Sequence, residues 1–169
     1  IKTILTIHNI MFQGIFDQMI LSDLFGIGYD AFHEHGLKYY DNVNFLKGGI
    51  HYADLVTTVS PNYADEIKTP EFGMGLHEDL RKVDHKLVGL LNGIDYDTYD
   101  PIVDKTIPST FSMKDLSGKA KNKAALQKKV GLPVDSDIAL IGVVTRLDEQ
   151  KGIQLILDSM DELMSHRRV

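Results

Sequence analysis

Two cations stand at a fixed spacing near the C-terminal end of the sequence. Arg146 and Lys151 lie in ALIGVVTRLDEQKGIQLILDSM, residues 139–160. Ala139 to Val144 is an apolar run that stops at Thr145-Arg146, and Ile153, Ile156, Leu157, Met160 and Leu163-Met164 then recur at helical spacing. Both cations therefore fall where a strand ends and a helix begins, the edge at which open α/β sheets bind ligands. The guest that suits two fixed cations and a helix N-terminus is an anion, a phosphate or diphosphate. Gly152, next to Lys151, lets main chain approach such a ligand closely. Two solvated cations on an ordinary loop would give the same pattern. Asp148 and Glu149 between them suit the first turn of a helix better than acid–base work.

Other candidates are sorted by position and spacing. His8-Asn9 follows the strand-like run KTILTI (Lys2 to Ile7), so it too sits at a strand end. A loop histidine serving backbone groups fits that place equally well. Asn92-Gly93-Ile94-Asp95 offers an amide and a carboxylate after KLVGLL, and also reads as a plain turn with Asp95 capping a helix. His33-Glu34-His35 has no third ligand at a usable spacing. Lys47-Gly48-Gly49 is not a phosphate-binding P-loop, because the upstream glycine and the following Ser/Thr are missing. The chain has no cysteine, which removes disulfides and thiol nucleophiles.

Composition and punctuation set the frame for these groups. The 169 residues are 43% hydrophobic and 25% charged, which is globular composition, with no apolar run long enough for a membrane span. The net charge of -6 argues against general nucleic-acid affinity. Residues 1–100 carry 15 acidic and 7 basic side chains, residues 101–169 carry 9 and 11, and a domain boundary is expected near residue 100. The runs 2–7, 54–59, 86–91 and 138–144 are expected as strands, the first and last of them buried. Asn44 is expected to cap a helix through Ile50, and Ser60-Pro61 to open another ending before Pro70. Leu76 to Val83 is expected as a short helix, and Ser117 to Val130 as a lysine-rich one closed by Gly131-Leu132-Pro133. Residues 10–16 and 22–40 show no clean period, and 96–108 read as a linker. Strands alternating with helices make the expected class α/β with parallel sheets and flanking helices.

Five motifs then fit together in order. TIHN (Thr6 to Asn9) with FQG (Phe12 to Gly14), NFLKGGIHYADLVTTVSPNYADEI (Asn44 to Ile67), LLNGID (Leu90 to Asp95), KAKNKAALQKKVGLP (Lys119 to Pro133) and GVVTRLDEQKGIQLIL (Gly142 to Leu157) resemble, in register, the corresponding segments of bacterial glycogen synthases and plant starch synthases. The resemblance covers nearly the whole chain. It implies parts of two Rossmann-like domains in the GT-B arrangement: residues 1–98 as the end of the N-terminal domain, and 99–169 as linker and start of the nucleotide-sugar domain.

The implied activity is transfer of glucose, with retention, from ADP-glucose or UDP-glucose to the 4-OH at the non-reducing end of an α-1,4-glucan. No metal or other cofactor is expected. By resemblance His8, Arg146 and Lys151 are catalytic, while Asn9, Gln13, Asn92 and Gly152 bind substrate. The implied partners are a nucleotide sugar, an α-1,4-glucan and the remainder of a longer chain, with neither nucleic acid nor membrane. The family's N-terminal K-x-GG-L loop and C-terminal acidic motif are expected before Ile1 and after Val169, so the segment alone is expected to be inactive; because each half-sheet would leave an edge and an apolar face uncovered, it is also expected to be marginally folded alone. A bacterial cytoplasm and a plastid both fit. A sucrose- or sucrose-phosphate-type synthase and a non-catalytic glucan- or nucleotide-binding relative are the alternatives.

Overall fold

The computed structural model describes residues 1–166. The chain end at Arg167–Val169, where no helix stop signal is read, lies outside the described residues. Contacts divide the chain into two compact units, the first Ile1–Gly93 and the second beginning at Ile94.

The first unit runs β1 (Ile4–Ile7), β2 (Ile15–Asp17), α1 (Ile20–Asp23), β3 (Lys38–Tyr39), β4 (Asn42–Asn44), α2 (Phe45–Tyr52), β5 (Leu55–Thr58), α3 (Pro61–Glu66), α4 (His77–Lys82) and β6 (Leu87–Gly89). Three strands form a parallel sheet in the order β1-β5-β6, with Ile7 opposite Thr58 and Thr58 opposite Gly89. Val56, Thr57 and Thr58 of the central strand are buried. Burial of two hydroxyls is tolerable because each finds a partner: Thr57 Oγ1 lies 2.9 Å from Thr6 Oγ1, and Thr58 Oγ1 donates to the Ile7 carbonyl at 2.8 Å. Ile7, Ile10, Ile50, Val56, Ile67, Leu76, Leu80 and Val83 make the core.

Local punctuation explains the helix starts. Asn44 accepts from Lys47 N to open α2, and Ser60 accepts from Tyr63 N to open α3, with Pro61 at its first position. Lys47 belongs to α2 and is buried, its ammonium donating to the Lys38 carbonyl at 2.7 Å. It is therefore a structural lysine. β6 runs against the start of α3 at Gly89, where an added Cβ would meet the Ser60 carbonyl and Pro61 Cα.

Two expectations for this unit change. β1 is an edge strand, and of its residues only Ile7 is buried, with Ile4 well exposed. The aperiodic stretches 10–16 and 22–40 contribute β2 and β3, which pair with β4 on either side in a second, antiparallel sheet, β2-β4-β3. It packs Leu21, Leu37 and Val43 beside Phe45.

α2 also carries His51, whose Nε2 lies 2.8 Å from Asp79 Oδ1 on α4, with the two side chains only 10% and 11% exposed. Burial holds the imidazole below its ordinary range, against the pull of Asp79 and with the repulsion of Lys47 and His35. An unfolded chain binds the proton more readily, so this contribution is full above about pH 6.5 and is lost as pH falls through the folded value. Replacing His51 by Asn is expected to flatten that part of the stability profile in denaturant titrations between about pH 8 and pH 5. An unchanged slope would contradict the assignment.

The second unit holds α5 (Tyr96–Tyr99), α6 (Ser117–Lys129), α7 (Ile153–Asp158) and α8 (Met160–Ser165). Asp95 caps α5 by accepting from the main-chain N–H groups of Asp97 and Thr98. α6 closes with Leu132 N donating to the Gln127 carbonyl at 2.9 Å and Gly131 N to that of Lys128 at 3.3 Å, the paired bonds of a Schellman ending. The apolar helix expected after Gly152 is interrupted at Ser159.

Residues 138–144 are not a strand. They pair with no other strand among the described residues. Apolar, β-branched composition favours extended backbone, but a strand also needs a neighbouring ladder. The parallel sheet of this α/β chain is therefore a single one among the described residues. Ile138, Leu140, Ile156, Met160 and Leu163 instead help line an apolar cavity of 590 Å³.

Candidate active site

The parallel sheet delivers the first group of candidates to one edge. All three strands point the same way, so His8-Asn9 after β1 and Asn92 after β6 both emerge at the C-terminal side of the sheet. Ile7 and Ile10 on either side of His8-Asn9 are each only 2% exposed, whereas His8 itself is exposed. The loop is therefore anchored in the core while the imidazole remains accessible. Asn9 is half-buried, and its Oδ1 accepts from Met11 N at 2.9 Å, closing a tight local turn.

Gln13 sits differently from the expectation of a substrate contact. It is 7% exposed. Its Nε2 donates to the Met74 carbonyl at 2.9 Å, and its Oε1 accepts from Asn44 Nδ2 at 2.7 Å. With both ends of the amide engaged inside the protein, Gln13 fastens the loop to the start of α2 and to the 74–75 turn. Asn92 is exposed beyond the last sheet bond, from Leu90 N to the Thr58 carbonyl at 2.8 Å. Asp95 is occupied as a cap, and its bonds to Thr98, side chain and main chain, keep its carboxyl below the usual range.

The second unit carries the cations. A 3-10 turn, Glu149–Lys151, leads through Gly152 into α7. Gly152 has φ +67, a left-handed conformation that favours glycine, and its N–H donates to the Glu149 carbonyl at 3.0 Å. Arg146 lies 3.3 Å from Asp148 Oδ2, yet its side chain is 75% exposed. Lys151 is exposed, and among the described residues no carboxylate lies within ion-pair distance of it. α7 has only six residues, so its dipole adds little and the two side-chain cations carry the positive charge of this turn.

Elsewhere, His33 Nε2 lies 3.2 Å from Tyr52 Oη, and Glu34 pairs with Lys38 at 3.0 Å. No grouping of three or more His, Asp or Glu suited to a metal occurs among the described residues. Thr58 and Tyr63, which hold the His8 loop, belong to none of the candidate groups read from the sequence. The available signal is the pair of threonines, Thr57-Thr58, inside an expected strand, since a hydroxyl that becomes buried must find a partner.

A family model described as the starch synthase catalytic domain matches residues 1–82. The chain is 52% identical over 164 residues to a glycogen synthase of Streptococcus mutans serotype c, covering 97% of this chain and 34% of that protein. It is 50% identical over 169 residues to a glycogen synthase of Lactiplantibacillus plantarum, covering 100% and 35%. The chain belongs to the glycogen and starch synthase family. A solved structure of another member, the catalytic domain of Starch Synthase IV from Arabidopsis thaliana bound to ADP and acarbose, superposes with a TM-score of 0.87 at 37% identity. That match covers 97% of this chain and 34% of that one.

Glycogen and starch synthases are glycosyltransferases, and this chain spans about a third of the length of the curated family members it matches. Among the described residues no helix is long and apolar enough to cross a membrane.

Proposed function

We propose that this chain supplies part of the active site of an enzyme that transfers glucose from ADP-glucose to the non-reducing 4-OH of an α-1,4-glucan, with retention. The reading rests above all on the turn from Arg146 to Gly152, where two exposed cations are available and Lys151 has no ion-pair partner among the described residues. Residues 1–98 are the end of the N-terminal Rossmann-like domain. Residues 99–169 are the linker and the beginning of the nucleotide-sugar domain.

In the proposed step the bond from the anomeric carbon to the diphosphate oxygen breaks. The acceptor 4-OH bonds to that carbon on the face the diphosphate leaves, and its proton passes to the departing phosphate oxygen. Negative charge grows on the diphosphate as the bond breaks, and Arg146 and Lys151 stabilise that growth because they are in place beforehand. Gly152 lets main chain approach the phosphates. His8 contacts the transferred glucose and helps hold its anomeric carbon, with Asn9 supporting the loop and Asn92 lining the substrate cleft. Gln13 acts by holding that loop in place. The bacterial relatives favour a bacterial cytoplasmic setting over a plastid.

Incubation of the full-length enzyme with radiolabelled ADP-glucose and glycogen is expected to put label into the polymer, to do so with a metal chelator present, and to give new α-linkages by anomeric NMR. UDP-glucose is expected to serve less well. Transfer to fructose or fructose phosphate instead of glycogen would point to a sucrose-type synthase. No transfer from either donor would point to a non-catalytic relative.

A further inference from the structure

We propose that Tyr63 and Thr58 are positioning residues for the proposed transfer, acting through the main chain that carries His8. This rests on the reading that His8 contacts the transferred sugar. His8 is exposed, so packing does not fix its ring, and the ring's location follows from the backbone beneath it. Two side-chain bonds grip that backbone on either side. Thr58 Oγ1, fully buried, donates to the carbonyl of Ile7, the residue before His8, at 2.8 Å. Tyr63 Oη accepts from the N–H of Ile10, two residues after His8, at 3.1 Å.

The two grips come from one strand–turn–helix. Thr58 ends β5, in register with Ile7, and Tyr63 lies in the first turn of α3. That turn is itself fixed, because Ser60 Oγ accepts from Tyr63 N at 2.9 Å and Pro61 sets the entry angle. Tyr63 packs against the core cluster to which Ile7 and Ile10 belong. Its hydroxyl is thus a fixed acceptor for an N–H whose residue is only 2% exposed. Removing the hydroxyl leaves that donor without its partner and frees the loop to shift.

The test is made in the full-length enzyme. Tyr63→Phe keeps the ring and deletes only the acceptor. With ADP-glucose and glycogen, kcat is expected to fall by about 10- to 100-fold while KM for the donor stays within about 3-fold, since small misplacements of a reacting group cost about that much. Combined with His8→Ala, Tyr63→Phe is expected to add no further loss, because it acts through His8. Should Tyr63→Phe fail to fold, Thr58→Val is expected to show the same split and Thr58→Ser to restore turnover.

Wild-type turnover in Tyr63→Phe, or losses that multiply with His8→Ala, would overturn the positioning role while leaving the proposed reaction intact. Near-wild-type turnover in His8→Ala would overturn the proposed role of His8 itself and this inference with it.

Discussion

Replacing Lys151 by alanine in the full-length enzyme is expected to lower kcat/KM with ADP-glucose by about 10²- to 10³-fold, the usual loss on removing one group aimed at developing charge. Lys151 is the stronger of the two cations for this purpose. Arg146 already has Asp148 at 3.3 Å, which offsets part of its charge, whereas no carboxylate lies within ion-pair distance of Lys151 among the described residues. Lys151 also sits directly before Gly152, at the left-handed turn into α7. Lys128→Ala is the matched control: it removes one positive charge from the exposed last turn of α6. A surface change of that kind is expected to leave turnover within about 2-fold and stability within about 0.5 kcal/mol. Comparable losses from Lys128→Ala and Lys151→Ala would mean that overall charge, not placement, sets the rate.

Gly89→Ala is expected to cause the largest loss of stability among single-methyl changes at this sheet. The added Cβ would meet the Ser60 carbonyl and Pro61 Cα, both main chain, so rotation of a side chain cannot relieve the clash. Overpacking of this kind costs about 1–3 kcal/mol, and the rigid neighbours put this site at the upper end. The strain falls on the turn that starts α3, so it also displaces Tyr63 and with it the His8 loop. Thermal unfolding is expected to show the loss, and residual activity is expected to fall further than the folded fraction. Gly93→Ala, with nothing within 4 Å of the added carbon, serves as the neutral comparison. Equal midpoints for the two variants would refute the close-packing argument.

The parts of the fold readable in advance are those decided by neighbours in sequence. Asn44, Ser60-Pro61, Asp95 and the Gly131 ending act within a few residues, and each does in the structure what its local pattern implies. β5 was legible for a similar reason, as a short run dominated by β-branched residues. The sheet β2-β4-β3 was not, because its strands are two or three residues long and pair across intervals of up to 29 residues, as in Ile15 with Asn44. Residues 138–144 failed in the opposite sense. Their composition favours a strand, but a ladder depends on a neighbour that composition cannot supply. At the candidate site, strand ends placed His8, Asn9 and Asn92, while the burial of Gln13 and the grips of Thr58 and Tyr63 depend on partners more than 30 residues away.

In the proposed mechanism the turn from Arg146 to Gly152 acts on the departing diphosphate more than on the bound donor. Single-turnover transfer at saturating ADP-glucose, measured for the full-length enzyme and for Lys151→Ala beside donor affinity, separates the two. The expected result is a chemical step slowed by about 10²-fold or more, with donor Kd weakened by no more than about 10-fold. A loss carried wholly by Kd, with the chemical step unchanged, would contradict it.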